Sequence, residues 1–328
     1  MASAAATPLI DIATLFGPSS PERDATDRSL IAAATQIGFA TVSGLPDSVP
    51  TGPAIRHKVL RVFTDHAARD WRELQQQADA ARVNLHRGWI VTDEGHPTYN
   101  AGPDVAHGAS AIHSNDPLRQ ETPLPPEAIL PGWRAAIRAH YLGMERAGDA
   151  IVRSLARGLA LKDDTLSPSF RGGISTLRLA HYRTRPASGS LLQHDQTHVM
   201  HDGRQRAVML GAHADFGFVT LLAQDGVGGL QTCMPNGKWV DVPPAEDTLV
   251  VNFGKLLERW TGGQIHATRH RVLSPGRDRF SIPFFYEPRV DARIAPLRLP
   301  NVRSFEPFVY GEYVWATSKR FIGQRIVA

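Results

Sequence analysis

The chain has 328 residues, 42% of them hydrophobic and 21% charged, the balance of a folded protein with a sizeable core and not of a disordered or fibrous one. Its formal charge of +4 comes from thirty-one arginines and five lysines against 32 acidic residues, and the basic residues are scattered instead of gathered in runs, so nucleic-acid binding is not expected. A single cysteine, Cys233, excludes an intrachain disulfide framework and every multi-cysteine zinc or iron–sulfur site, which leaves His, Asp and Glu as metal ligands.

The opening residues, MASAAATPLIDIATLF, carry no basic segment followed by an apolar stretch, so no secretory signal is read. No apolar run approaches the length of a bilayer span. The expectation is a cytoplasmic protein with no membrane partner. A short strand is predicted at Pro8 to Ile12. A helix follows over Pro21 to Ile37, with Ser20 as its cap, Pro21 in the first turn and Leu30, Ala33, Ala34 and Ile37 on one face. Gly38 ends it and Phe39 to Val42 reads as a second strand. A second helix is predicted through Ala54 to Gln77. A long one spans Pro126 to Leu161, where Trp133, Ile137, Tyr141, Met144, Ile151 and Leu155 recur at helical spacing. The stretch Thr92 to Ser114, with Tyr99, Asn100 and His113, is polar, and nothing in its chemistry names a substrate.

After Ser175 short β-branched and aromatic runs alternate with Gly, Pro and Asn turns. Strands are predicted at Leu177 to Tyr182, Val208 to Ala212, Phe218 to Leu222, Leu230 to Thr232, Trp239 to Val242, Thr248 to Phe253, His270 to Leu273 and Arg279 to Phe285. Many short strands at this spacing suggest an antiparallel sandwich or barrel. Tyr310 to Ile322 returns to a helical pattern. Neither a repeat nor a linker forces a domain boundary.

Within the β-rich region, His213-Ala214-Asp215 sets an imidazole and a carboxylate two positions apart. In extended chain such residues point the same way, so His213 and Asp215 can grip one metal ion from one side. In a chain with 14 histidines the pair also arises by chance, and a third ligand is needed. His266 and His270 share strand parity and both qualify. Arg279 and Ser281 repeat the i, i+2 logic, and a guanidinium fork beside a hydroxyl suits a carboxylate, although a buried arginine paired with a core acid would look the same.

The motifs Pro8-Leu9-Ile10-Asp11, Ile37-Gly38-Phe39-Ala40, Leu177 to Tyr182, His213-Ala214-Asp215, Asn252-Phe253-Gly254, His270-Arg271-Val272 and Arg279-Phe280-Ser281 occur in an order that resembles the isopenicillin N synthase-like family of non-haem iron enzymes, most of them Fe(II)- and 2-oxoglutarate-dependent dioxygenases. The resemblance implies an α+β chain with a mainly β core, a double-stranded β-helix (jelly roll) flanked by N-terminal and C-terminal helices. It implies a single domain, with residues 1–174 as a mixed N-terminal region, 175–290 as the catalytic core and 291–328 as a C-terminal helix and tail. It makes His213, Asp215 and His270 the iron ligands, selecting His270 over His266. It assigns Arg279, Ser281 and Tyr182 to 2-oxoglutarate, with O2 as the other cosubstrate. Where the family often has Asn two positions before that tyrosine, this chain has Ala180.

The implied activity is oxidation of an unactivated C–H bond of a small molecule, by hydroxylation or desaturation, with release of succinate and CO2 and no obligate protein partner. Isopenicillin N synthase and aminocyclopropane-carboxylate oxidase carry the same Arg-x-Ser without using 2-oxoglutarate, so an iron oxidase of that kind is the alternative. A non-catalytic jelly-roll binding protein is the third reading. Phe285, Phe216 and Phe218 are substrate-pocket candidates. The spacing from Tyr182 to His213 is longer than the family needs. The excess, roughly Ser188 to Arg206, holds His194, His198 and His201, which fit a surface insertion, a lid over the iron pocket, or a second metal site with His194 and His198 on one helix face.

Overall fold

The computed structural model describes residues 7–73, 87–92, 95–112, 116–184, 198–300, 302 and 304–317. Its strands in chain order are β1 (Leu9–Asp11), β2 (Phe39–Ser43), β3 (Gly88–Val91), β4 (Pro97–Ala101), β5 (Thr176–Tyr182), β6 (His198–His201), β7 (Arg204–His213), β8 (Val219–Gln224), β9 (Leu230–Cys233), β10 (Trp239–Asp241), β11 (Leu249–Phe253), β12 (His270–Leu273), β13 (Arg279–Tyr286), β14 (Arg293–Ile294) and β15 (Phe308–Val309). They form an eight-stranded sheet, β1-β2-β11-β8-β13-β5-β4-β3, and a five-stranded sheet, β10-β9-β12-β7-β6, with β14 and β15 paired on their own. Apart from the parallel pair β1 and β2, neighbours run antiparallel. This is an α+β chain built on a jelly roll.

Alternation along the strands divides the side chains of the large sheet between two cores. Leu221 and Ala223 of β8, Leu249 and Val251 of β11, Leu177 and Leu179 of β5, and Ile282 and Phe284 of β13 face a large core shared with the helices. Phe39, Leu222 and Val250 face the other way and meet Met209, Leu230, Val242 and Val272 from the five-stranded side in a smaller core. That inner face also carries Tyr182, and by the same parity Arg178, Thr220, Asn252, Arg279, Ser281 and Phe285.

The helix Trp133–Gly158 backs the large sheet and buries Trp133, Ile137, Tyr141, Met144, Ile151 and Leu155, the residues whose spacing predicted it. Tyr141 donates to the Ser175 carbonyl at 2.8 Å and stands edge-on to Phe284, with centroids 4.9 Å apart. Gly148 is where this helix comes closest to β13, since a Cβ there would lie 2.6 Å from the Tyr286 ring. The helix Pro21–Gln36 packs alongside. Ser20 caps it by accepting from the Arg23 N–H at 3.2 Å, and its buried Asp27 accepts from Ser154 and Arg157 of the long helix.

The structure corrects several predicted elements. The single helix expected over Ala54 to Gln77 is interrupted. Pro53–Thr64 is helical, Asp65 is extended, and a 3-10 turn at His66–Ala68 follows. Asp65 accepts the Ala67 N–H at 3.0 Å, capping the new turn in preference to continuing the old helix. Residues 74–77 lie outside the described ones. The long helix starts at Trp133, not Pro126, because Pro131 and a left-handed Gly132 (φ 73°) precede it.

The largest correction concerns 92–114. Part of that stretch, where the resemblance puts a substrate-covering loop, is β4, paired between β3 and β5 with all five residues buried. His113 lies outside the described residues. The C-terminal helix begins at Tyr310 and is described to Thr317. Among the described residues no helix is long and apolar enough to cross a membrane.

Candidate metal centre and substrate cavity

His213 ends β7 and His270 opens β12, and the two are opposite one another in the ladder, with ring centroids 4.3 Å apart. Asp215 follows two residues after His213, just past the end of β7 and immediately before a bend at 216–218. Both imidazole Nε2 atoms lie 3.7 Å from Asp215 Oδ1. A single ion bonded at about 2.1 Å to each donor reaches atoms up to about 4.2 Å apart, so the three can share one metal.

The outer atoms of each group are already engaged. His213 Nδ1 is 2.8 Å from the Gly211 carbonyl and His270 Nδ1 is 3.3 Å from that of Thr268. This sets each Nδ1 as the N–H donor and leaves the Nε2 lone pair facing inward. Asp215 Oδ2 accepts from the Thr220 hydroxyl at 2.5 Å and from Asn252 Nδ2 at 2.7 Å, which leaves Oδ1 for an ion. Burial opposes ionisation of Asp215, but His270, the Thr220 and Asn252 hydrogen bonds and His213 outweigh it, and its pKa lies below the usual carboxylate value. Burial lowers the pKa of His270, favouring the neutral ring that a metal needs. Two imidazoles and one carboxylate on one side of an ion, with positions left open, is the donor set suited to non-haem Fe(II).

Arg279 and Ser281 sit on the inner face of β13, where Arg279 is opposite Tyr182 and Ser281 opposite Ala180. Arg279 is 1% exposed. Its Nε donates to the Gly228 carbonyl at 2.8 Å, and its Cζ lies 5.1 Å from the Tyr182 ring centroid. Nη1 and Nη2 are buried with no hydrogen-bond partner among the described residues. A buried cation with both fork nitrogens unsatisfied is costly alone and fits a carboxylate received between them. At the position of Ala180, Thr98 is the cross-strand neighbour, but its hydroxyl donates to the Ile90 carbonyl.

Beside Asp215 lies a cavity of about 280 Å³. Phe216 and Phe285 line it, together with Arg87, Arg178, Glu287 and Tyr310. Phe216 stacks on Tyr313 at 5.7 Å and 13°. Phe218 is not part of this wall. It is 1% exposed and packs edge-on to Phe170, Trp260 and Tyr310 in the large core, because the bend after Asp215 breaks the parity that would have turned it inward. A second groove of about 500 Å³ runs between β1 and the helix Pro21–Gln36 and shares no residue with the site.

His266 stands apart from the triad, about half exposed and 4.0 Å from Glu258. His198 and His201 belong to strand β6 at the edge of the five-stranded sheet, so His198 is not on a helix face, and His194 lies outside the described residues. Thr220, Asn252, Arg178, Arg87, Glu287 and Tyr310 were not singled out in the sequence. Each reaches the site through strand pairing or through the first turn of the last helix, and only Arg178 and Asn252 lie within the quoted family motifs, where no role was given to them.

A model described as the 2OG-Fe(II) oxygenase superfamily matches residues 177–288. The 2-oxoglutarate-Fe(II) type oxidoreductase hxnY of Emericella nidulans is 34% identical over 161 residues, 48% of this chain and 42% of the relative. The proline hydroxylase buaE of Petromyces alliaceus is 28% identical over 311 residues, 88% of this chain and 89% of the relative. The match spans about half the length of the first curated relatives. Among solved structures, full-length Neurospora crassa T7H in complex with alpha-KG and 5-formyluracil superposes with a TM-score of 0.75 at 24% identity over 94% of each chain, a likeness of fold. The core segment 177–288 thus matches the 2OG-Fe(II) oxygenase superfamily, and the chain is similar to relatives named for 2-oxoglutarate and iron.

Proposed function

We propose that this protein is a non-haem Fe(II)- and 2-oxoglutarate-dependent dioxygenase that oxidises an unactivated C–H bond of a small molecule, by hydroxylation or desaturation, using O2 and releasing succinate and CO2. One observation carries the reading. Three inward-facing ligand atoms of His213, Asp215 and His270 share the interior of the jelly roll with a buried Arg279 whose fork lacks a partner among the described residues.

His213, Asp215 and His270 would hold the iron, which when bound supplies O2 activation and the oxidising power. The rest is done by the chain. Arg279 and Ser281 receive the far carboxylate of 2-oxoglutarate, with Tyr182 beside them, and thereby orient its oxoacid end toward the metal ligands. Thr220 and Asn252 fix the Asp215 carboxylate, and the Gly211 and Thr268 carbonyls fix the two rings. The cavity lined by Phe216 and Phe285 would hold the substrate and exclude water from it. The free Cys233 fits a reducing, cytoplasmic setting, which is part of the proposal.

Anaerobic addition of Fe(II) and then 2-oxoglutarate should produce the weak visible charge-transfer band of the chelate. Arg279→Met should raise the 2-oxoglutarate concentration for half-maximal band by about 10- to 100-fold, the cost of a lost charge-assisted pair. Iron binding without any band at saturating 2-oxoglutarate would favour the oxidase alternative and overturn this reading.

A further inference from the structure

The face of the five-stranded sheet that looks into the jelly roll carries a polar side chain with no task in the metal centre. Thr232 on β9 is opposite His270 on β12, and His270 is in turn opposite His213 on β7. The three therefore stand side by side across the sheet, with neighbouring Cβ atoms about 5 Å apart. Two residues along, the pair Leu230 and Val272 lies in the smaller core between the sheets, which fixes the face: residues 230, 232, 270 and 272 point inward. The alternate pair points outward, where Arg271 Nε donates to Gln231 Oε1 at 2.8 Å.

Thr232 is 0% exposed, and its Oγ1 is buried with no hydrogen-bond partner among the described residues. A hydroxyl left in that state is costly where a valine would fill the same space. Nη1 and Nη2 of Arg279 are in the same condition, and the two residues meet the same strand. Arg279 reaches across from β13 to the Gly228 carbonyl, and from Gly228 the chain passes Gly229 into β9 and on to Thr232. Unsatisfied donors thus stand at both ends of β9, a guanidinium fork at its start and a hydroxyl beside the metal ligands. A short dicarboxylate laid along the strand would meet both. In the large sheet, Ala180 has no polar atom to offer, and the hydroxyl of its neighbour Thr98 is engaged by Ile90. Gln224 Oε1, opposite Ser281, is also buried and unpartnered, but an amide oxygen only accepts and offers nothing to a carboxylate.

We propose that Thr232 binds the cosubstrate, its hydroxyl donating to the carboxylate at the oxoacid end of 2-oxoglutarate while Arg279 holds the far carboxylate. The proposal rests on the dioxygenase reading and adds a binding residue from the sheet opposite the anchor. It lays the cosubstrate lengthwise along β9 and supplies the polar contact that Ala180 cannot make.

The test uses the full chain loaded anaerobically with Fe(II). Thr232→Val keeps the shape and removes the donor, so the 2-oxoglutarate concentration giving half the chelate band should rise about tenfold, the scale of one hydrogen bond to a charged acceptor. Thr232→Ser should recover most of that loss, and the loss should persist in an Arg279→Met background, where the far end is already released. Two readouts separate binding from packing. Without metal or cosubstrate, Thr232→Val should melt no lower than the parent, because the hydroxyl it lacks bonds to nothing there. Its Fe(II) affinity, measured by competition with a chelator, should stay within about twofold of the parent's. An unchanged half-band concentration in Thr232→Val overturns the proposal, as does a Thr232→Ser variant no better than Thr232→Val or a loss that vanishes once Arg279 is replaced. A rise accompanied by weaker iron binding or a lower melting temperature overturns it too, since a disturbed His270 or core would be the cause. A parent that binds iron but gives no band at saturating 2-oxoglutarate counts instead against the dioxygenase reading.

Discussion

Among the described residues two clusters gather histidine and aspartate side chains within ligand distance of one another, His213 with Asp215 and His270, and His201 with Asp202 and Asp241. They differ in where the outer atoms point. In the second cluster His201 Nε2 lies 3.0 Å from Asp241 Oδ2, and Gln231 Nε2 lies 3.0 Å and 3.1 Å from the two His201 nitrogens and 2.8 Å from Asp241 Oδ1. The groups satisfy one another at the edge of a sheet, with Asp202 83% exposed. In the first cluster the outer atoms are engaged by carbonyls, a hydroxyl and an amide, while the inner atoms face each other at 3.7 Å, with Asp215 and His270 mostly buried and His213 open on one side. Proximity alone therefore does not distinguish a metal site. Fastened outer atoms and unengaged inner ones do.

The sharpest way to break this contrast is to remove one histidine from each cluster and measure bound iron and succinate release. His270→Ala should leave little iron on the protein and reduce substrate-dependent succinate to the background rate. His201→Ala changes an edge residue and should leave both within about twofold, the scale of an ordinary surface substitution. Iron retained by His270→Ala, or lost by His201→Ala, would reverse the assignment of the two clusters.

A smaller effect is expected from the groups that hold Asp215. Asn252→Ala removes one of the two hydrogen bonds to Oδ2 without touching any ligand atom. Partners of this kind typically change metal affinity by about 10- to 100-fold. Competition against a chelator should show Fe(II) affinity falling by that factor, with the band of the loaded protein still forming at high iron. An unchanged affinity would mean that Thr220 alone positions the carboxylate.

What the sequence revealed of this site follows the distance along the chain over which each part is encoded. His213 with Asp215, and Arg279 with Ser281, are two residues apart, so an extended backbone puts each pair on one side, and both pairs could be read directly. The choice of His270 over His266 needed the resemblance, and the structure places His270 opposite His213 in the ladder. Arg178 and Asn100 were named only within longer stretches and Glu287 not at all, because what brings Arg178 opposite Asn100 across 78 residues is strand register. Strand β4 was missed for a different reason. Its residues Pro-Thr-Tyr-Asn-Ala do alternate, with Tyr99 and Ala101 in the large core and Thr98 and Asn100 on the other face, but the run is only five residues long and Pro97 and Asn100 are residue types depleted in strands and common in turns. Phe218, a candidate only because it flanks the metal strand, lies in a bend and packs into the large core instead.

The least drastic test compares two carboxyl groups in the same region, Asp215, almost entirely enclosed and held ionised, and Glu287, enclosed and held protonated. Burial raises the Glu287 pKa to about 8, against hydrogen bonds from Tyr310 and the Phe218 N–H that pull it down. In the unfolded chain the group loses its proton near its ordinary value of 4.5. Between these two values the folded state binds the extra proton, so stability must fall as pH rises across that window and level off above about 8. Glu287→Gln removes the titration while keeping the shape. Melting temperatures of the metal-free protein between pH 5 and 9 should therefore decline more steeply for the parent than for Glu287→Gln, by several degrees across the window, since about 1 kcal/mol moves the midpoint of a chain this large by only a few degrees. Parallel curves would show that Glu287 is ionised in the folded state, and the cavity beside Asp215 would then carry a negative charge against its arginines.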